Sequence, residues 1–112
     1  MELSTVSHGH AIVLAVTGRL DVVRLPPFEA RLFDLIAEGH RRIIVDLGGL
    51  DYISSAGLRV LHVAAKRLKP EGGRLLLAAP RDLVRQVLEI SGFSEMLETY
   101  ATIEEAVASA ER

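Results

Sequence analysis

The chain has 112 residues, with 13 Lys and Arg against 15 Asp and Glu, four histidines and no cysteine. That length builds one domain, expected over residues 1–112, with room for a real core. A formal charge of −2 paves no face for nucleic acid, so no direct nucleic-acid partner is expected, and the lack of cysteine excludes disulfides, thiolate metal sites and thiol nucleophiles.

The start, Met1-Glu2-Leu3-Ser4-Thr5, has neither the basic nor the apolar segment of a secretion signal. No run reaches the roughly 18 apolar residues that suggest a membrane span, so a cytoplasmic protein without membrane insertion is expected. Leu3, Thr5 and Ser7 alternate with Ser4, Val6 and His8, and a stronger apolar run follows from Ala11 to Val16. The pattern predicts a hairpin turning near His8-Gly9-His10, its second strand ending over Gly18-Arg19-Leu20-Asp21.

Leu25, Phe28, Leu32, Leu35 and Ile36 mark an amphipathic helix that opens around Pro26-Pro27 and stops at Gly39. Ile43, Ile44 and Val45 form a β-branched run suited to a strand buried on both faces, expected to end at Leu47 before a turn at Gly48-Gly49. The period then becomes helical through Ile53, Leu58, Leu61, Ala64, Ala65 and Leu68, and Pro70 closes the helix ahead of a turn at Gly72-Gly73.

Leu75 to Ala79 predicts another buried strand. Pro80-Arg81-Asp82 opens a helix whose apolar face is read as Leu83, Val84, Val87, Leu88 and Ile90. A short edge strand is expected from Met96 to Tyr100. Thr102 and Glu105 then have capping-box spacing for a last helix of mostly Ala and Glu, expected to fray. Strands alternating with helices after a hairpin predict a single α/β domain with a mixed sheet, antiparallel at its start and parallel through crossovers, and about four helices.

Ser54 and Ser55 stand where loop becomes helix. Ser54 suits the N-cap, since its oxygen can accept from a free N–H of the first turn. Ser55 is then exposed in that turn, where a phosphate would gain roughly 0.3–1 kcal/mol from the helix dipole. Other candidates read more plainly. His8 and His10 lack a third metal ligand, and His62 is treated as structural. The two glycine pairs lack the lysine and spacing of a phosphate loop. Asp21, Asp46 and Asp51 are acidic residues at strand ends rather than a catalytic or Mg²⁺-binding set. No catalytic residue, metal or cofactor is expected.

Thr17-Gly18-Arg19-Leu20-Asp21, Ile43-Ile44-Val45-Asp46-Leu47 with Leu50-Asp51-Tyr52-Ile53, and Ser54-Ser55-Ala56-Gly57-Leu58-Arg59-Val60-Leu61 together resemble the STAS domain of bacterial anti-sigma-factor antagonists. Leu88-Glu89-Ile90-Ser91-Gly92-Phe93 is similar to that family's third helix and its exit. The resemblance implies helices packed mainly on one side of the sheet. It also implies a partner that is an anti-sigma factor with a histidine-kinase-like ATP-binding domain, together with a serine phosphatase. The unphosphorylated antagonist would bind that partner and release the sigma factor.

The family pattern Asp-Ser-Ser/Thr-Gly-Leu-Gly lies over Ser54-Ser55-Ala56-Gly57-Leu58-Arg59, which puts Ser55 at the phosphoacceptor position. The resemblance also carries over Asp21, Ser54, Ser55, Ala56, Gly57, Leu58 and Arg59 as partner-binding residues. Phosphotransfer chemistry would then belong to the partner. The chain departs from the pattern in having Ser54 in place of an acidic residue and Arg59 in place of a glycine, which keeps open a second reading. In that reading the chain is a STAS scaffold docked permanently in a larger signalling or transport assembly. A small-ligand module is a third, with no local sequence support.

Overall fold

The computed structural model describes residues 1–93 and 97–112. Two strands open the fold, β1 (Glu2–His8) and β2 (Ala11–Leu20), followed by α1 (Leu25–Ala37), β3 (Arg42–Ile53) and α2 (Ser55–Leu68). A 3₁₀ turn over Lys69–Glu71 leads into β4 (Arg74–Ala78), α3 (Asp82–Ile90), β5 (Glu98–Tyr100) and α4 (Ile103–Ala110). Met96, expected to begin β5, lies outside the described residues.

The sheet order is β1-β2-β3-β4-β5, with β1 antiparallel to β2 and every later pair parallel. His8 pairs with Ala11, so the hairpin loop is Gly9-His10, and Gly9 takes φ +58°, which glycine allows without strain. Residues of α1, α2 and α3 share one core cluster on one face of the sheet, as the general right-handed rule for crossovers advancing in one direction expects. Alternation along β3 sorts the core accordingly. Ile43, Val45 and Leu47 join Phe28, Leu32 and Leu61 under those three helices. Ile44 points the other way, towards Ala11, Val13, Leu76 and Ala78, where Ala106 and Ala110 of α4 cover the sheet.

Three sequence expectations are corrected. Gly48-Gly49 is no turn: β3 continues through both glycines to Ile53. A Cβ on Gly49 would stand 2.7 Å from Thr17 Cγ2, so glycine lets β3 pass close to β2 where the register shifts between Ala15 and Thr17. The core spacing changes from two to three there, with Leu47 and Leu50 both wholly buried.

The apolar face of α3 is narrower than its sequence implies. Val84 and Leu88 are buried, whereas Leu83 is 57% and Ile90 84% exposed, because five apolar residues in nine span more than one core-facing stripe. Nor is α4 a loose end. Thr102 Oγ1 accepts from the Glu105 N–H, and Arg74 donates to Ser109 O at 2.8 Å and to its Oγ at 2.7 Å. Small alanines let α4 lie close on the sheet. Among the described residues, no helix is long and apolar enough to cross a membrane.

Candidate partner-docking site

The site forms at the carboxyl ends of β2 and β3, an end of an open α/β sheet at which loops are free to present side chains. Leu20 and Ile53 end the two strands in register. The Ser54 N–H then donates to Leu20 O at 2.9 Å, which fastens the start of α2 beside the loop that leaves β2. Ser54 Oγ accepts from the Gly57 N–H at 3.1 Å, making Ser54 the N-cap and Ser55 the first helical residue. Ser55 faces solvent.

Ser54→Ala removes an acceptor from a nearly buried N–H. We expect a loss of about 1–2 kcal/mol in urea denaturation, most of it recovered by Ser54→Asp, which keeps an acceptor at the cap. An unchanged midpoint for the alanine variant would show that the cap does not hold the helix start.

Gly57 and Leu58, grouped by resemblance with the docking residues, turn inward. Leu58 is 3% exposed, and a Cβ on Gly57 would stand 2.8 Å from Ile53 Cγ1. They seat the first turn on the end of β3, as the buried Ser54 does, and offer no side chain to a partner. Ser55 and Arg59 remain exposed on α2, with Ala56 half-buried.

Asp21 has a structural task of its own. Its Oδ1 accepts from the Arg24 N–H at 2.9 Å, its carbonyl accepts from the Arg24 and Leu25 N–H groups, and its carboxylate pairs with the Arg24 guanidinium. The Arg24 backbone N–H, reinforced by that guanidinium, holds the Asp21 carboxyl below its ordinary range. The closed turn drives Val22 and Val23 outward, 70% and 82% exposed.

These valines are what sequence reading missed. Two apolar residues between Asp21 and Arg24, off the period of α1, were the available signal. They form a small apolar prominence on the loop that leaves β2 at Leu20, whose carbonyl accepts from the Ser54 N–H, so that loop and the start of α2 share one end of the sheet.

The other acidic candidates separate. Asp46 lies within β3, where its Oδ1 accepts from the Gly48 N–H at 2.9 Å and supports the glycine pair. Asp51 pairs with Arg81, whose Nε also donates to Gly48 O at 2.7 Å and so ties the start of α3 to β3. Arg19 lies over the Tyr52 ring, 4.5 Å from its centroid. The histidines are apart as well: His10 Nδ1 contacts Glu111 at 2.9 Å, and His62 stacks on Phe93 with centroids 5.2 Å apart.

A family model described as STAS domain matches residues 2–106. The chain is 40% identical over 99 residues to a Bordetella bronchiseptica protein named "Putative anti-sigma factor antagonist BtrV", covering 88% of this chain and 84% of that one. The fold is similar to an anti-sigma factor antagonist from Mycobacterium paratuberculosis, with TM-score 0.92 at 22% identity over 99% and 94% of the two chains. It is also similar to the anti-sigma factor antagonist SpoIIAA in its unphosphorylated form, with TM-score 0.82 at 24% identity over 98% and 96%. The phosphorylated form of SpoIIAA, described as a Bacillus cell fate determinant, gives 0.72 at 24% identity over 96% and 98%. A capped helix start carrying an exposed serine, a five-stranded sheet in sequential order and a family match over almost the whole chain lead to one assignment: the chain belongs to the STAS domain family.

Proposed function

We propose that the protein is an anti-sigma-factor antagonist whose docking is switched off by phosphorylation of Ser55. The observation that carries this reading is the exposed hydroxyl on the first residue of α2, at the sheet end where the Ser54–Leu20 bond also places the loop carrying Val22 and Val23. The names of the similar proteins support it, as does the existence of SpoIIAA in two phosphorylation states.

In this reading the partner is an anti-sigma factor that also binds ATP. Ser55 Oγ attacks the terminal phosphorus, a new O–P bond forms, the bridging P–O bond breaks and the nucleoside diphosphate leaves. The hydroxyl proton passes to a base on the partner. The chain supplies the acceptor and the docking surface and performs no catalysis. A phosphatase reverses the modification by hydrolysis.

The test is a pull-down from host lysate with wild-type, Ser55→Ala and Ser55→Asp baits, read by mass spectrometry. An ATP-binding protein retained by the first two baits and lost from the third is the expected result. The same set on all three would favour a permanently docked scaffold and sink the switch. Val23→Asp is further expected to lower affinity for that partner about tenfold, because a charge replaces a contact that loses its water on docking. Its thermal midpoint should match wild type, since Val23 touches solvent. Full affinity in calorimetry would remove the turn from the interface.

A further inference from the structure

We propose that Arg59 is a phosphate clamp: once Ser55 is phosphorylated, the guanidinium one helical turn along α2 pairs with the phosphate and stabilises the modified form. This rests on the reading of Ser55 as phosphoacceptor and adds what the modification meets within its own chain.

The spacing comes from the cap. Because Ser54 fixes the helix start, Ser55 and Arg59 stand four residues apart in regular helix, both exposed. An anion four residues before a cation is the favourable orientation of such a pair. Arginine adds a planar fork that can take two phosphate oxygens at once, which a lysine cannot reproduce.

The surrounding charges leave this cation for the phosphate. Arg24 is matched with Asp21, Arg81 with Asp51, and Arg19 lies over Tyr52. Among the described residues, no carboxylate pairs with Arg59. A phosphate on Ser55 therefore meets a partner within its own helix, and removal of that phosphate must first break the pair. The clamp makes the phosphorylated state longer-lived without reshaping the fold.

The experiment installs phosphoserine at position 55 of the full chain during translation, so no kinase is involved, and follows its phosphorus NMR signal against pH. Phosphoserine ordinarily loses its second proton near about pH 6. With Arg59 present that ionisation should fall about 0.3 unit below its position in Arg59→Gln, with Arg59→Lys between the two. The gap should shrink at 1 M salt, where charges are screened beyond about 3 Å. Lys66→Gln, two turns further on, should leave the titration unchanged.

Superimposable titrations of wild type and Arg59→Gln overturn the clamp, and an equal displacement by Lys66→Gln would reduce it to general charge. A host kinase that never modifies Ser55 would instead overturn the reading of Ser55, whatever the titration shows.

Discussion

Ser55→Asp is expected to weaken binding of the anti-sigma partner by at least about tenfold, whereas Ser55→Ala should bind as wild type does. A tenfold loss corresponds to only about 1.4 kcal/mol, and taking a carboxylate out of water on docking can cost more than that. A phosphate, carrying about −1.5 to −2 charges, should act more strongly still. Within the free chain the same charge is tolerated, because it lies at the positive end of α2. Both variants should therefore unfold within about 0.5 kcal/mol of wild type, as exposed substitutions usually do. Calorimetry on the pair checks the first statement and urea denaturation the second. Equal affinity for all three chains would remove Ser55 from the interface, while a large stability loss would make it a structural residue.

The second large effect lies on the far side of the sheet. Arg74→Met is expected to destabilise the domain by about 2–3 kcal/mol. Arg74 donates to both carboxylate oxygens of Glu98, at 3.0 and 2.6 Å, and its guanidinium also reaches Ser109, so one side chain joins β4, β5 and α4. Tyr100 completes the network, its hydroxyl donating to Glu98 Oε1 at 3.0 Å and lying 2.7 Å from Ser109 Oγ. Breaking a fully buried pair costs about 3–5 kcal/mol. These side chains keep 28% and 38% exposure, and water screens part of that.

Acidity gives this prediction a second reading. Hydrogen bonds from Arg74, then from Tyr100, hold the Glu98 carboxyl below its ordinary value of 4.5. Stability from that pair is complete above the ordinary value and is lost as pH falls through the lowered one. The gap between wild type and Arg74→Met should therefore narrow in acid below pH 4.5. A gap independent of pH would show that the loss comes from the contacts with Ser109 rather than from the pair with Glu98.

The periodic elements were legible because their patterns are local. Phe28, Leu32 and Leu35 announce α1, and Ser54 announces the cap of α2, from spacing and residue type alone. Gly48-Gly49 misled because glycine pairs mark turns when read locally, while here their reason is a neighbouring strand, with Thr17 pressing against Gly49. The back-face position of α4 was hidden for a related reason: alanines carry little amphipathic signal, yet their small size is what allows close packing. At the site, the hydroxyl and its cap could be read directly. The outward thrust of Val22 and Val23 depends on hydrogen bonds from Arg24 and Leu25 to Asp21, which no apolar pattern encodes.

A sheet whose spatial order repeats its chain order has a consequence for how the domain assembles. No strand must be threaded between two already paired ones, so each β–α step can dock on the edge left by its predecessor, with short loop closures throughout. Docking from β2 outward would complete the end of the sheet that carries Ser55 before β5 and α4 arrive. The far edge can then open transiently while the antagonist face stays folded. Native-state hydrogen exchange should find the slowest amides in β2 and β3 and faster ones in β5. Such a layout separates the part of the molecule that must be rigid to be read by a partner from the part free to breathe.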